Sequence, residues 1–313
     1  MRHGAAMRAP TPLPRPFESG PFRVAEALAH GVGAKRLRGR DLERPFHGVR
    51  SGPVASPREH AGAYAAWMPP HHAFGGTTAA RLWGLPLPNG WVPTEPLVIA
   101  RPSGTTRGRG RGTRHIAVDA SRLRLVTLDG LRLLDPLGTA LTLARELDHE
   151  PLVHVVDALL TPSHRYPDLL LPVRPWTRPE ETVAFVERCR GLRGAVALAA
   201  ALADARVGVD SRFESVTRRI LVLAGLPEPT IHPEVVIDGI ALHPDLGYPR
   251  LRVAVEYEGE GHLDPRRAAE DILRYEMLER AGWIVVRVTR LDLARGGVRL
   301  VSRVAAALVR RGA

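Results

Sequence analysis

At 313 residues the chain is long enough for two or three domains, and 44% apolar residues can fill real cores, which excludes a disordered or fibrous polypeptide. A single cysteine, Cys189, excludes an internal disulfide and a cysteine-rich zinc site, and fits a reducing compartment. The net charge of +11 is unevenly placed: residues 208–313 hold 16 Arg against 15 Asp and Glu, a balance of +1, which leaves +10 on residues 1–207.

Residues 1–20 are expected to be disordered; a Pro-rich stretch at 10–16 stands where a signal peptide would carry its apolar core. Two helical patterns, Val24–Ala29 and residues 34–42, flank a His-Gly-Val-Gly turn and precede a strand-like segment at 46–50. Residues 21–55 are therefore expected to form a small helix-turn-helix with a vestigial wing. Its second helix would carry Lys35, Arg36, Arg38 and Arg40, and residues 101–124 hold seven Arg against Asp119 alone. Such fields attract polyanions, and DNA is the expected partner. The competing account is an Arg- and Ala-rich composition in which Lys35 is the one lysine.

Residues 56–161 form a mixed α/β region, with helices at 61–67, 77–83, 137–147 and 151–160 and strands at 97–101, 114–119 and 123–127. Alternating Arg and Gly at 107–111 make a loop and no dinucleotide fingerprint, because no strand runs directly into it and no helix opens from it. His71 and His72 are adjacent and lack the spacing of paired metal ligands. Residues 162–207 comprise a Pro-rich linker and a helical segment whose apolar run, 195–203, is too short to span a bilayer. No membrane association and a cytoplasmic location are expected.

The last region, 208–313, opens on a Ser211-x-x-Glu214 capping box ahead of a helix that ends near Gly225. Strands at 231–237, 240–246 and 251–258 follow. Asp264 and Pro265 then start a long helix that Gly282 stops, and a strand at 283–289 and a helix at 298–309 close the chain. The fold class is α/β (α+β), ordered here as helix, three strands, helix, strand, helix.

Within this region Val253, Val255 and Tyr257 alternate with Ala254, Glu256 and Glu258, so both glutamates share one strand face. Asp245 lies eleven residues before Glu256, and a turn at Pro249 and Arg250 would bring the two strands alongside each other. Three carboxylates then converge on one hard cation, magnesium with manganese as its substitute, which would polarise a phosphodiester and activate water. His262 follows a Glu-Gly-Glu-Gly loop and is the candidate general acid or base. Asp271 and Arg274 sit one helical turn apart, and Arg274 is a candidate phosphate contact. Plainer roles compete at each position: Glu214 as a helix cap, Glu256 and Glu258 as a solvated edge, Asp271 and Arg274 as a helix ion pair.

The segments Ser-Arg-Phe-Glu-Ser, Ala-Gly-Leu-Pro-Glu-Pro, His-Pro-Asp-Leu-Gly-Tyr-Pro, Val-Ala-Val-Glu-Tyr-Glu-Gly-Glu-Gly-His and Ala-Gly-Trp-Ile-Val-Val-Arg-Val-Thr, in that order over residues 208–311, carry a resemblance. They look like the endonuclease-like domain called domain of unknown function 559. That group is similar to the very-short-patch-repair (Vsr-like) mismatch endonucleases of the PD-(D/E)XK superfamily. The resemblance implies a restriction-endonuclease-like three-layer domain with a central mixed sheet. It makes Asp245 the metal-binding aspartate, gives Glu256 and Glu258 the acidic strand positions, and makes His262 the catalytic-type histidine. Glu214 would be a helix glutamate that orients water or metal. Two departures stand out. Glu258 occupies the place of the superfamily's lysine, and the cysteine and histidine set of the mismatch enzymes' structural zinc site is absent.

A second resemblance lies at the front, in Ala-Glu-Ala-Leu-Ala-His-Gly-Val, Arg-Leu-Arg-Gly-Arg-Asp-Leu and Thr-Thr-Ala-Ala-Arg-Leu-Trp-Gly-Leu-Pro-Leu-Pro. These look like the winged-helix and following region of abortive-infection (AbiEi-type) antitoxins, implying a DNA-facing front end. The expected function is a metal-dependent DNA endonuclease with a basic DNA-binding amino-terminal region. The alternative is a catalytically inactive DNA-binding regulator or antitoxin-like protein.

Overall fold

The computed structural model describes residues 10–105, 111–259 and 265–313, without the side chains of residues 265–269. The chain is mixed α and β. It divides into two compact units, one of residues 1–146 with 187–195, the other of residues 147–186 with 196–313.

Phe17, expected in a disordered tail, is 5% exposed and packs with Phe22, Ala27, Val32 and Leu37. Strand β1 (Phe22–Arg23) pairs antiparallel with β2 (Val49–Arg50), and helix α1 (Val24–Ala29) follows β1. Where a second, basic helix was expected over residues 34–42, the chain makes only a three-residue 3-10 turn, Arg36–Arg38. Leu37 and Leu42 are spaced five apart and define no helical stripe, and Gly39 interrupts the pattern at a cost of about 1 kcal/mol in a helix interior. Residues 21–55 thus hold one short helix and a two-stranded ribbon.

Beyond them come α2 (Pro57–Ala65), β3 (Ala73–Phe74), α3 (Gly76–Trp83), β4 (Leu97–Pro102), β5 (Thr113–Val118), β6 (Leu125–Leu128), β7 (Leu131–Leu134) and α4 (Pro136–Leu143). The five strands form one mixed sheet in the order β5-β4-β3-β7-β6. Strand β7 lay hidden in the sequence because Asp129 and Gly130, both at positive φ, fold a hairpin within the apolar run. Asp135 caps α4 by accepting from the Gly138 N–H at 2.8 Å.

The second unit contains α5 (His149–Leu160), most of α6 (Pro179–Arg188) and of α7 (Ala195–Asp204), and then α8 (Arg212–Leu223). Helix α5 is tied to α8 by ions. Arg219 donates to both carboxylate oxygens of Glu150 at 2.8 Å, and Arg218 reaches Asp157 at 3.3 Å with both side chains fully buried. The three strands expected next are five short ones: β8 (Thr230–Ile231), β9 (Val235–Ile237), β10 (Ile240–Leu242), β11 (Leu246–Tyr248) and β12 (Val253–Tyr257). Asp238 and Gly239, again at positive φ, turn β9 into β10 as a separate hairpin. Helix α9 (Pro265–Arg280), strand β13 (Ile284–Val288), α10 (Arg290–Leu293) and α11 (Val298–Arg310) complete the unit.

Its central sheet runs β13-β12-β11-β8, parallel between β12 and β13 and antiparallel elsewhere. The period of two sorts β12 between the sheet's faces. Val253 and Val255 join Leu221 of α8 and Leu300, Val304 and Leu308 of α11 in one core. Ala254 packs instead with Leu278 of α9 and with Val235 and Leu242 of the hairpin. Each fully buried Val or Leu contributes about 1.5–3 kcal/mol. Helices thus cover both faces, and Glu256, next after Val255, points to the α9 side.

His154 in α5 is buried, and its imidazole is pushed down to about 4 by burial, with the Arg212 charge adding and Glu150 opposing. The folded state refuses a proton that the unfolded chain accepts below 6.5, so stability is lost as pH falls from there toward 4. At roughly 1.4 kcal/mol per unit, the loss approaches about 3 kcal/mol. Urea denaturation of His154→Gln between pH 7 and 4.5 is expected to show a flatter decline than the parent.

Candidate active site

Strand register brings the acidic residues together. β11 pairs Leu246 with Val255, so Asp245, one residue earlier, falls opposite Glu256 on the same face. The Tyr257 N–H donates to Asp245 Oδ2 at 2.8 Å, fixing that carboxylate against the end of β12. Between the two strands the expected turn is a 3-10 turn, Pro249–Leu251, closed by Arg252 at φ 48°.

Glu214 also reaches this cluster. Ser211 accepts from the Glu214 N–H at 3.2 Å as expected of a capping box, but the reciprocal bond lands elsewhere: Glu214 Oε2 accepts from the Asp210 N–H at 2.8 Å. The same oxygen lies 3.2 Å from His232 Nε2, and Asp210 Oδ1 lies 3.7 Å from that nitrogen. The His232 backbone N–H in turn donates to the Asp245 carbonyl at 3.1 Å. His232 holds φ at 41°, a left-handed conformation that costs a non-glycine residue about 1–2 kcal/mol.

The electrostatics follow from crowding. Glu256 is 1% exposed, and burial together with the Asp245 charge pushes its carboxyl well above the usual range, with Arg274 opposing. Asp245 is raised by burial and by Glu214, against the Tyr257 N–H, Arg274 and His232. His232 is pulled down by burial, but Glu214, Asp210 and Asp245 outweigh it and leave its pKa raised. Arg274 donates to Glu256 Oε2 at 3.1 Å and lies 3.3 Å from Asp271. Glu256 Oε1 is buried and has no hydrogen-bond partner.

Glu258 stands apart. It follows the last residue of β12, donates its N–H to the Val288 carbonyl at 2.7 Å, and forms an ion pair with Arg287 of β13. Asp245, Glu256, Glu214 and Arg274 are therefore brought together, whereas Glu258 is committed to Arg287. His262 lies outside the described residues. Asp210 and His232 joined the cluster without warning from the sequence. Asp210 at least adjoins the Ser211 cap, while only the pairing of β8 with β11 places His232. In the first unit Lys35, Arg38 and Arg40 are exposed, but Arg36 is taken up by Asp41 at 2.7 and 3.1 Å and by the Thr11 carbonyl.

Among the described residues no three His, Cys, Asp or Glu side chains form a self-sufficient metal cage. A magnesium ion does not need one, because it takes one or two carboxylates and keeps several waters. Two adjacent buried carboxyls that Arg274 compensates only in part, one with an orphaned buried oxygen, fit such an ion. Among the described residues no helix is long and apolar enough to cross a membrane.

Two uncharacterized proteins, from two strains of Mycobacterium tuberculosis, are similar to the chain. Each is 30% identical over 184 residues, which cover 58% of this chain and 64% of the relative. The chain thus spans just under two thirds of the curated relatives it matches. No family model and no solved structure matches it.

Proposed function

We propose that the second unit is a metal-dependent DNA endonuclease, with Asp245 and Glu256 as the ligands of a magnesium or manganese ion and the basic amino-terminal region as a DNA-binding surface. The observation that carries this reading is the pairing of Asp245 with Glu256 across β11 and β12, buried, mutually repelling, and with Glu256 Oε1 unsatisfied. The order helix, strands, helix, strand around a mixed sheet supports it as well. When bound, the ion would neutralise phosphoryl charge and lower the pKa of an attacking water.

The chain's own residues do the positioning. The Tyr257 N–H fixes Asp245, and Glu214 holds His232 while its charge adds to the negative field at Asp245. Arg274, resting on Glu256, stands where it can turn to a substrate phosphate, supplying the positive charge that the superfamily's lysine gives elsewhere. A second reading, a DNA-binding regulator without activity, is favoured by the same contact: a guanidinium already compensates Glu256, and Glu258 has left the cluster for Arg287.

Cleavage of plasmid and linear DNA with magnesium, manganese or EDTA, by the parent and by Glu256→Gln and Glu258→Gln, separates the two. A nuclease is expected to need the metal, to lose cutting in Glu256→Gln, and to keep it within about tenfold in Glu258→Gln, about 1.4 kcal/mol of barrier. DNA bound but left intact by the parent under every metal condition would leave the regulator.

A further inference from the structure

We propose that His72, with His115 and Arg101 beside it, forms an anion site in the first unit that takes a phosphate group. The sheet builds this site. Strands β3 and β4 pair Ala73 with Ala100 and Phe74 with Ile99, so His72 and Arg101 meet at the next step, and β4 pairs Ile99 with His115. Alternation then puts His72, Arg101 and His115 on one face, around Phe74 and Ile99. The rings of His72 and His115 are 6.0 Å apart. Exposed His71, 4.6 Å from His72, carries the cluster to the surface.

His72 is 3% exposed, and neither of its ring nitrogens has a hydrogen-bond partner. Arg101 donates from Nη1 to the Thr105 carbonyl, but its Nε is buried and unpartnered too. Buried polar atoms are rarely left this way, and such a concentration of them points to a ligand. The surrounding charge gives the ligand's sign. The groups acting on His72 are His71, His115, Arg101 and Arg132, with no carboxylate among them. Arg132 fixes the preceding turn through the carbonyls of Met68, Pro69 and His72. A metal cation would face two guanidinium groups, whereas a tetrahedral oxyanion accepts from imidazole and guanidinium N–H groups alike. A water molecule would satisfy the nitrogens but leave the positive charge uncompensated.

A free phosphate and a nucleic-acid backbone offer the same chemistry, and the test separates them. Thermal unfolding and calorimetric titration of the full chain use inorganic phosphate against sodium chloride at equal ionic strength. Anisotropy with a labelled DNA duplex follows, and the parent is compared with His72→Phe and Arg101→Met. Phosphate is expected to stabilise the parent beyond chloride and to bind at least about tenfold more weakly to both variants. A parallel loss of duplex affinity assigns the phosphate to a nucleic-acid backbone; unchanged duplex affinity assigns it to a small phosphorylated molecule. Phosphate acting no differently from chloride on the parent, or equally on the parent and both variants, overturns the site.

Discussion

Asp245→Asn is expected to abolish the proposed metal-dependent DNA cleavage while making the metal-free protein more stable. The amide oxygen can still accept from the Tyr257 N–H, so the end of β12 stays tied to residue 245. What disappears is one of two carboxylates forced together by register and burial. The sign follows from linkage. Both carboxyls titrate above the usual carboxylate range, so the folded state holds protons that the unfolded chain has released. Stability is full below the ordinary carboxylate range and is lost as pH rises through the raised values. Without metal, the parent is expected to lose stability toward alkaline pH, and the variant to lose less. The variant's melting temperature should exceed the parent's by roughly 2–6 °C at pH 8, corresponding to about 1–2 kcal/mol. Magnesium should close that gap by stabilising the parent alone. The accompanying loss of the proposed cleavage should be on the order of 10³-fold, since several kcal/mol of charge stabilisation would pass through Asp245 as metal ligand. Calorimetric scans at several pH values, with magnesium and with EDTA, read both effects. A variant less stable than the parent at pH 8 without metal would show that Asp245 is a structural residue.

The second large effect concerns the interior of the same unit. Arg218→Met is expected to destabilise it by about 3–5 kcal/mol, the usual cost of stranding a buried charge. Asp157 is fully buried, and burial already pushes its carboxyl up against the opposing charge of Arg218. Deleting the guanidinium leaves Asp157 with the Arg206 N–H at 2.7 Å as its remaining backbone donor. The opposite change is milder. In Asp157→Asn, Arg218 keeps Glu228 at 2.8 Å and the Asp204 carbonyl at 3.0 Å. The double variant Arg218→Met/Asp157→Asn is expected to recover much of the loss, because both members of the buried charge pair are then neutral. Urea denaturation of the four proteins in a double-mutant cycle gives the coupling directly. Additive losses would mean that the pair does not act as a unit.

The parts of this chain visible in advance are those governed by short periods. Alternation through β12 separated Val253 and Val255 from Glu256, and a turn at Pro249 set Asp245 against it. The Ser211 cap located α8. The same period also placed Glu258 in the cluster, and there it misled: the strand ends at Tyr257, and a neighbouring strand supplies Arg287 to claim the side chain. Contacts of long sequence separation left no trace. Helix α5 looked like the tail of the preceding region, because what binds it to α8 is an Arg218–Asp157 pair 61 residues apart, and a lone buried Asp in a helix has no pattern. His232 entered the cluster for the same reason. Residues 34–42 failed differently: arginines have good helix propensity, but propensity without an apolar stripe does not hold a short helix in water.

The division of the chain has a consequence for its biogenesis. Residues 187–195 belong with 1–146, and residues 147–186 belong with 196–313, so each unit is assembled from two stretches separated by part of the other. A nascent chain that has emerged through residue 146 still lacks a piece of the first unit, and before that piece is made the ribosome has delivered α5 and much of α6. Helix α5 must wait, its apolar face open, for α8 about 50 residues further on, the interval in which chaperones act and aggregation begins. No single cut separates the two units, so recombination that swaps segments at one junction would break at least one of them.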